Sequence, residues 1–439
     1  MAEIRIDLKL TVMIPEKGIK INNLLFQLRK FMVCLYFGIL KAILSAVEDK
    51  AVANLKKISA GRYIRNGQQE RQMRTSYGLF RYRMAKVLDK VTGKTLTPLT
   101  SAVGIPAYRR HVEETGEGGI GLVCHLSYRK GAKEVDRILG TGMSKSTLHR
   151  QLQEFAQEMC EWPDLKKVPY RFLMVDGTGV RLQETGSDGK NSRTVSMRWA
   201  LASLGEEEKF ELVGMWLDTS WQKIRENLNQ RLDYSKIDVL FSDGESGIEE
   251  NLLSPGIRPQ RCLFHGKQQF PFILYFDNLK KPQQKELREK LKSIPAMSLK
   301  ASDLEKLTPK DLPKVKELAE KTEQGFKDLL SVLPAEKYPR ARVYIENLSK
   351  SATTFFDVWF ANGRWIPLNT NVVENAFSQV KNRIWAIGKR WSEPGLMNWL
   401  KVVVNKIFFP LNWDKFWAEY LDIDSNLQFH LMAVKYQWV

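Results

Sequence analysis

The hydrophobic and polar positions change rhythm several times along the chain, and each change marks a different kind of element. From residue 21 to about 60, Leu24, Leu25, Leu28, Phe31, Met32, Leu35 and Tyr36 recur at steps of three and four, the spacing that gives a helix one apolar face. Within it, Phe31 to Leu40 is a ten-residue apolar run between Lys30 and Lys41. That is shorter than the ~20 residues that span a bilayer, and it fits a buried helix. A basic linker, GRYIRNGQQERQMR, is followed by TSYGLFRYRMAKVLD, where Tyr77, Leu79, Arg81 and Arg83 alternate with their neighbours as in one or two strands. The helical period then returns. One helix is predicted over about Leu122 to Leu139, interrupted near Lys130-Gly131; a Gly140-Thr141-Gly142-Met143 turn follows, and Ser144 can cap a second helix, SKSTLHRQLQEFAQEM.

From residue 170 the texture shifts to short strands. RFLMV ends at Asp176, GVRLQ continues after a turn, and TVSMRWALAS and FELVGMWLD follow. A helix over Trp221 to Leu232 leads to IDVLF, ending at Asp243, and a short helix leads to a further strand near Arg261 to Phe264. Meander strands, a helix and then a strand bearing the second aspartate is the order of an RNase H-like α/β core. Residues 280 to 350 are charged and helical without strand signal, which predicts an all-helical insertion before the core resumes with a helix around Glu374. The aromatic stretch from Trp399 to Val439 reads as packed helix or tail, and no repeat period is visible.

Composition narrows what such a chain can do. Its 439 residues exceed one ordinary domain, and 43% hydrophobic with 27% charged residues is a globular balance. The net charge of +18 points to an anionic polymer, because a basic surface gains affinity by releasing counterions from phosphates. Four cysteines do not make a disulfide framework in so long a chain, which fits a reducing compartment. The start, MAEIRIDLKL, lacks the basic lead and continuous apolar core of a signal peptide, so a soluble cytoplasmic protein without membrane association is expected.

With DNA as the expected partner, helix, glycine turn and polar helix read as a helix-turn-helix, a pattern ordinary helical hairpins share. Ser144, Lys145, Ser146, His149 and Arg150 would lie near the start of its recognition helix. The predicted organisation begins with a helical region (1–65), a basic strand-containing DNA-binding segment (66–120) and the helix-turn-helix (121–165). The α/β core opens over 166–279, is interrupted by the helical insertion (280–355), and is completed by 356–439 with the Glu374 and C-terminal helices.

The candidate chemistry lies in FLMVDGT, VLFSDGE and TNVVENAFSQVKNR. In the first two, an aspartate follows a β-prone run and precedes a glycine that lets substrate approach; in the third, Glu374 shares a helix face with Asn371, Asn375, Ser378, Lys381 and Asn382. Asp-Gly is also the commonest turn dipeptide, so one such pair alone means little. Two matching pairs in one inferred sheet, joined by a helical carboxylate, suit a site for two Mg²⁺ or Mn²⁺ ions roughly 3.5–4 Å apart that serve phosphoryl transfer. Lys381, Arg383, Lys389 and Arg390 are interleaved with Trp385 and Trp391, a basic-aromatic patch suited to DNA strands, although core tryptophans would look the same. Cys262 and His265 are two ligands where a structural zinc site takes four, and His265 fits the edge of the metal site better.

The series MVDGT, SDGE, R-C-x-x-H, a helical interruption and TN-x-x-E-N resembles the DDE transposases of the Mutator-like superfamily, which includes many prokaryotic insertion-sequence transposases. The resemblance covers roughly residues 170 to 400. It implies that Asp176, Asp243 and Glu374 are the catalytic, metal-binding triad and that Cys262 and His265 are the superfamily's C-x-x-H pair. It further implies terminal inverted repeats and target DNA as double-stranded partners, a dimer or larger assembly, and attack by water followed by attack of the freed 3′ hydroxyl. A nuclease with the same core but no strand transfer, or an inactive DNA-binding descendant, are the alternatives.

Overall fold

A computed structural model describes the chain apart from residues 1–3, 7, 9, 106–112, 141, 160–164, 184–192, 206–208, 305, 388–390, 424–428 and 430–439. Two compact units emerge: Met1–Phe155 together with Pro410–Val439, and Ala156–Phe409. The C-terminal residues, expected with the core, thus group with the first unit.

In the first unit, helix α1 (Ile21–Ile58) precedes an antiparallel hairpin of β1 (Tyr63–Thr75) and β2 (Gly78–Asp89), with β3 (Thr95–Leu96) beside β2 and a short helix α2 (Pro98–Ala102). The segment expected as a basic linker is therefore largely strand β1. Its polar residues hid the period, because most of β1 is solvent-exposed. Phe80, Tyr82 and Met84 alternate inward from β2 and pack with Met73, Leu99 and, from α1, Phe37, Leu40, Leu44 and Val47. The expectation of a buried apolar helix needs correction. Only Leu44 and Val52 of α1 are buried, while Leu24, Leu25, Leu28, Phe31 and Met32 are exposed. The described ring contacts between α1 and the hairpin begin at Tyr36 on Tyr77 and Phe37 on Phe80, beyond these exposed apolar residues. By length and composition, this helix is long and apolar enough to cross a membrane.

Helices α3 (Glu114–Val123), α4 (Tyr128–Leu139) and α5 (Lys145–Glu158) follow. The break expected near Lys130-Gly131 falls instead at Cys124–Ser127, because the Ser127 side chain caps α4 by accepting from Lys130 N. Gly131 lies inside α4 for a packing reason: a Cβ there would come within 2.6 Å of Val123 on α3. As expected, Ser144 caps α5 through Thr147 N at 3.1 Å. The helix Pro410–Tyr420 packs Trp417 against Phe155 of α5, ring centroids 4.6 Å apart.

The second unit is built on a five-stranded sheet in the order β6-β5-β4-β7-β8, from β4 (Phe172–Leu182), β5 (Arg193–Ser203), β6 (Glu211–Leu217), β7 (Val239–Ser242) and β8 (Arg258–Arg261). The β4–β5 and β5–β6 pairs are antiparallel, and the β4–β7 and β7–β8 pairs are parallel. Helices α6 (Trp221–Arg231) and α7 (Ile248–Leu252) bury Trp221, Ile224, Leu228, Ile248 and Leu252 against Leu173, Val175, Ala200, Ala202, Val213 and Leu240 of the sheet. Each buried Leu, Ile or Val among them stabilises the fold by about 1.5–3 kcal/mol relative to exposure.

After β8 the described chain is helical: α8 (Leu263–Phe276), α9 (Lys281–Ser293), α10 (Pro295–Ser298), α11 (Ala301–Leu304), α12 (Leu312–Ser331), α13 (Pro339–Ser351) and α14 (Thr354–Asn362). Tyr344 Oη donates to Gly266 O at 2.8 Å and Lys267 Nζ to Met297 O at 2.6 Å, tying these helices to α8. Then α15 (Asn371–Ile387) returns to the sheet, where Phe377 meets Trp199 of β5 at 4.8 Å, and α16 (Glu393–Phe408) follows.

Candidate active site

Alternation along β4 decides where Asp176 points. Leu173 and Val175 belong to the α6–α7 cluster, so Met174 and Asp176 face the other side, where α15 packs. Asp176 is opposite Trp199 in register, the residue that meets Phe377. The expected turn after Asp176 is absent: β4 runs unbroken from Phe172 to Leu182, and Asp176 is mid-strand. β7, by contrast, stops at Ser242, and its parallel register with β4 (Met174 beside Phe241) brings Asp243 alongside Asp176 where the two strands part.

Asp243 therefore sits in a turn, and Gly244 makes that turn possible. Its φ is +85°, and a Cβ would lie 2.2 Å from Arg261 Nε. Backbone N–H groups orient both aspartates: Gly177 N donates to Asp176 Oδ1 at 2.7 Å, and Glu245 N donates to Asp243 Oδ1 at 2.8 Å. Glu374 lies in the first turn of α15, where Thr370 Oγ1 donates to its Oε1 at 3.3 Å. The strand near Arg261 ends at Arg261 itself, so Cys262 and His265 belong to the start of α8. There His265 Nε2 lies 3.8 Å from Glu374 Oε1, and its Nδ1 is 3.5 Å from Thr370 Oγ1.

These groups share one field. Burial, then the charge of Asp243, with a smaller part from Glu374, pushes Asp176 up to about 7. Burial raises Asp243 as well. His265 is pushed up to about 9, first by its hydrogen bond with Cys262 and then, against burial, by Glu374 and Asp243. Burial lifts the Cys262 thiol, but hydrogen bonds with His265 and Thr370 outweigh it and leave the thiol below its ordinary value. The site is an acidic cluster with one cationic edge. Among the described residues, no three His, Cys, Asp or Glu side chains form a ready-made metal cage. One oxygen of each aspartate is folded onto a backbone N–H, and Glu374 leans toward His265 and Thr370.

Arg198 and Trp221, which were not among the site candidates from sequence, join Glu245 here. Glu245 Oε1 accepts from Arg198 Nη2 at 2.6 Å and from Trp221 Nε1 at 3.2 Å, and its carboxylate packs over Gly177. Arg198, across from Gly177 in register, also donates to Thr219 O at 2.5 Å. This clamp links the backbone beside Asp176 to the turn carrying Asp243. The sequence clue was a lone arginine inside the apolar run SMRWALAS.

The remaining candidates divide. Ser144, Lys145, Ser146, His149 and Arg150 are all exposed at the start of α5, with the His149 ring edge-on to Tyr128 at 5.1 Å. Lys381 is partly exposed and Trp385 is exposed. Arg383 must be withdrawn as a surface contact. It is buried, with its guanidinium 5.7 Å from the Trp391 ring and 5.2 Å from that of Trp399, because its turn of α15 faces α16. Lys389 and Arg390 lie outside the described residues, as does Cys160.

No curated protein matches the chain. A family model described as "Transposase, Mutator family" matches residues 38–407, reaching well upstream of the three acidic segments.

Proposed function

The chain belongs to the Mutator family of transposases, and from that premise we propose that it cuts and rejoins DNA at the ends of a mobile element, with Asp176, Asp243 and Glu374 as its catalytic acids. The observation that carries this reading is the meeting of Asp176, Asp243, Glu374 and His265 in one field at the end of β7. An antiparallel β6-β5-β4 meander continued by parallel β7 and β8, with helices between Asp243 and Glu374, supports an RNase H-like core carrying a helical insertion.

The donor set fits divalent cations such as Mg²⁺ or Mn²⁺. All three acids offer hard oxygens, and the burial and, after it, the repulsion from Asp243 that raise Asp176 are what a bound cation offsets. Two such ions, held by Asp176, Asp243 and Glu374, would supply activation of the attacking oxygen and stabilisation of the leaving one. The protein's own groups do the rest. Asp176 is held rigid by the sheet, and Asp243 is aimed by the Glu245 N–H. His265, cationic at neutral pH, steadies Glu374 and presents positive charge to an incoming phosphodiester. Gly244 leaves the turn without a side chain beside the backbone of the substrate. The exposed start of α5 would bind terminal repeats, and joining two ends calls for at least two copies.

The test is cleavage and joining of an oligonucleotide duplex bearing the element's end. Asp176→Asn, Asp243→Asn and Glu374→Gln should each lower cleavage by roughly 10³-fold or more with duplex affinity nearly unchanged. Retained cleavage in any one removes that residue from the triad. Chelation should stop the reaction reversibly. Cut products without joined products would make the protein a nuclease rather than a transposase.

A further inference from the structure

Helix α8 starts at the proposed active site and carries aromatic side chains that its own fold leaves uncovered. Leu263, Gly266, Phe270 and Leu274 face inward. On the other side, Phe264, Gln268, Phe272 and Phe276 follow one another at four-residue steps, and Tyr275, three residues beyond Phe272, joins the same exposed face. The four aromatic residues among them are 54%, 65%, 67% and 57% exposed. Large apolar side chains gathered in this way mark a contact surface rather than chance exposure.

Position and charge identify the occupant. Phe264 adjoins His265, which stands 3.8 Å from Glu374, so the face begins at the catalytic acids. From Phe264 to Phe276 it runs about 18 Å outward, room for a few bases at about 3.4 Å each. No Asp or Glu lies in α8. The carboxylate that ends it, Asp277, is engaged by Arg340 N and Ala341 N. Arg340 places its guanidinium 5.5 Å from the Phe276 ring, and exposed Lys280 and Lys281 follow. Aromatic faces flanked by cations, on a helix that carries no carboxylate of its own, suit a polyanion with accessible π-faces. A second copy of the chain would bring the same cations against themselves in a symmetric contact. Duplex DNA hides its base faces within the stack.

We propose that the exposed face of α8 is a stacking platform for unpaired DNA nucleotides next to the cleavage point. The assignment deepens the DNA-cutting reading and rests on it, yet its test is a binding measurement that needs no cleavage. Full-length Phe272→Ala/Tyr275→Ala protein should bind single-stranded oligothymidylate about tenfold more weakly, while affinity for a blunt duplex stays within about twofold. Phe272→Trp/Tyr275→Phe should keep wild-type affinity, and Phe272→Leu/Tyr275→Leu should not, because stacking needs a ring and not merely apolar area. Unchanged single-strand affinity in the alanine protein, equal loss for both DNA forms, or full rescue by leucine would each overturn the proposal. So would a shift from dimer to monomer with single-strand binding intact, which would make the face an interface between copies. In the unaltered protein, 2-aminopurine in the single strand should be quenched on binding; no quenching overturns the proposal whatever the variants do.

Discussion

A carboxylate buried in the middle of a strand is a cost to the fold, and Asp176 makes that cost measurable. Its folded pKa of about 7 lies above the ordinary 3.8, so between those values the native chain holds a proton that the unfolded chain has released. Stability contributed at this position is therefore present at low pH, falls as pH rises from about 4 to about 7, and stays low above that. Asp176→Asn removes the penalty. The metal-free variant should melt about 2–4 °C above the parent at pH 8, with the gap closing toward pH 4. Added Mg²⁺ should raise the parent's melting temperature and leave the variant's nearly unmoved. A gap independent of pH, read by calorimetry across that range, would mean that Asp176 is not the strained group. Sequence could nominate Asp176 from its apolar-Asp-Gly setting. It could not place the residue mid-strand, because whether β4 stops at Asp176 or continues through Gly177 depends on the partner strand β5.

Among elements, those with a clean period were legible and those defined by their neighbours were not. The strands β5 and β6 and helices α6 and α15 stand where the alternation puts them, since one face of each is continuously apolar. β1 was hidden because both its faces are mostly polar, and the α3–α4 break was displaced because a serine cap outranks a glycine that serves packing. Arg383 looked like its neighbours Lys381 and Lys389 in sequence, and only the position of α16 turns it inward. The start of α5 is the element whose proposed role is most directly testable. Its exposed Lys145 is a phosphate contact on this reading, and Arg150, paired weakly with Glu154 at 3.8 Å, is a base-edge contact. Lys145→Ala should weaken all duplexes alike and reduce the salt slope by about 1. Arg150→Ala should weaken end sequence over unrelated DNA by roughly 1–3 kcal/mol. Equal loss on both sequences from Arg150→Ala would reduce α5 to a general phosphate contact.

At the scale of the whole molecule, the chain leaves its first unit, builds the second and comes back. Residues Pro410–Val439 group with Met1–Phe155, so the sequence segments that complete the first unit lie at opposite ends of the chain. The closing contact is aromatic: Trp417 and Tyr420 stand 4.6 and 4.5 Å from Phe155, and Trp413 packs on Trp417 at 5.5 Å. Both tryptophans are buried, so Trp417→Ala should destabilise the first unit by about 3–5 kcal/mol. The second unit keeps its own core from Tyr170 to Ile257, which includes none of these residues. Calorimetry of the variant should therefore show an early transition that carries the first unit, with a later one unmoved, and limited proteolysis should cut first within residues 1–155. A single transition displaced as a whole would mean that the units melt together. In that case the proposed binding through α5 and the proposed chemistry at Asp176, Asp243 and Glu374 would have to be treated as properties of one cooperative body. Two transitions would let the unit proposed to bind the ends be weakened by Trp417→Ala while the proposed catalytic acids keep their geometry, separating recognition from cleavage in a single substitution.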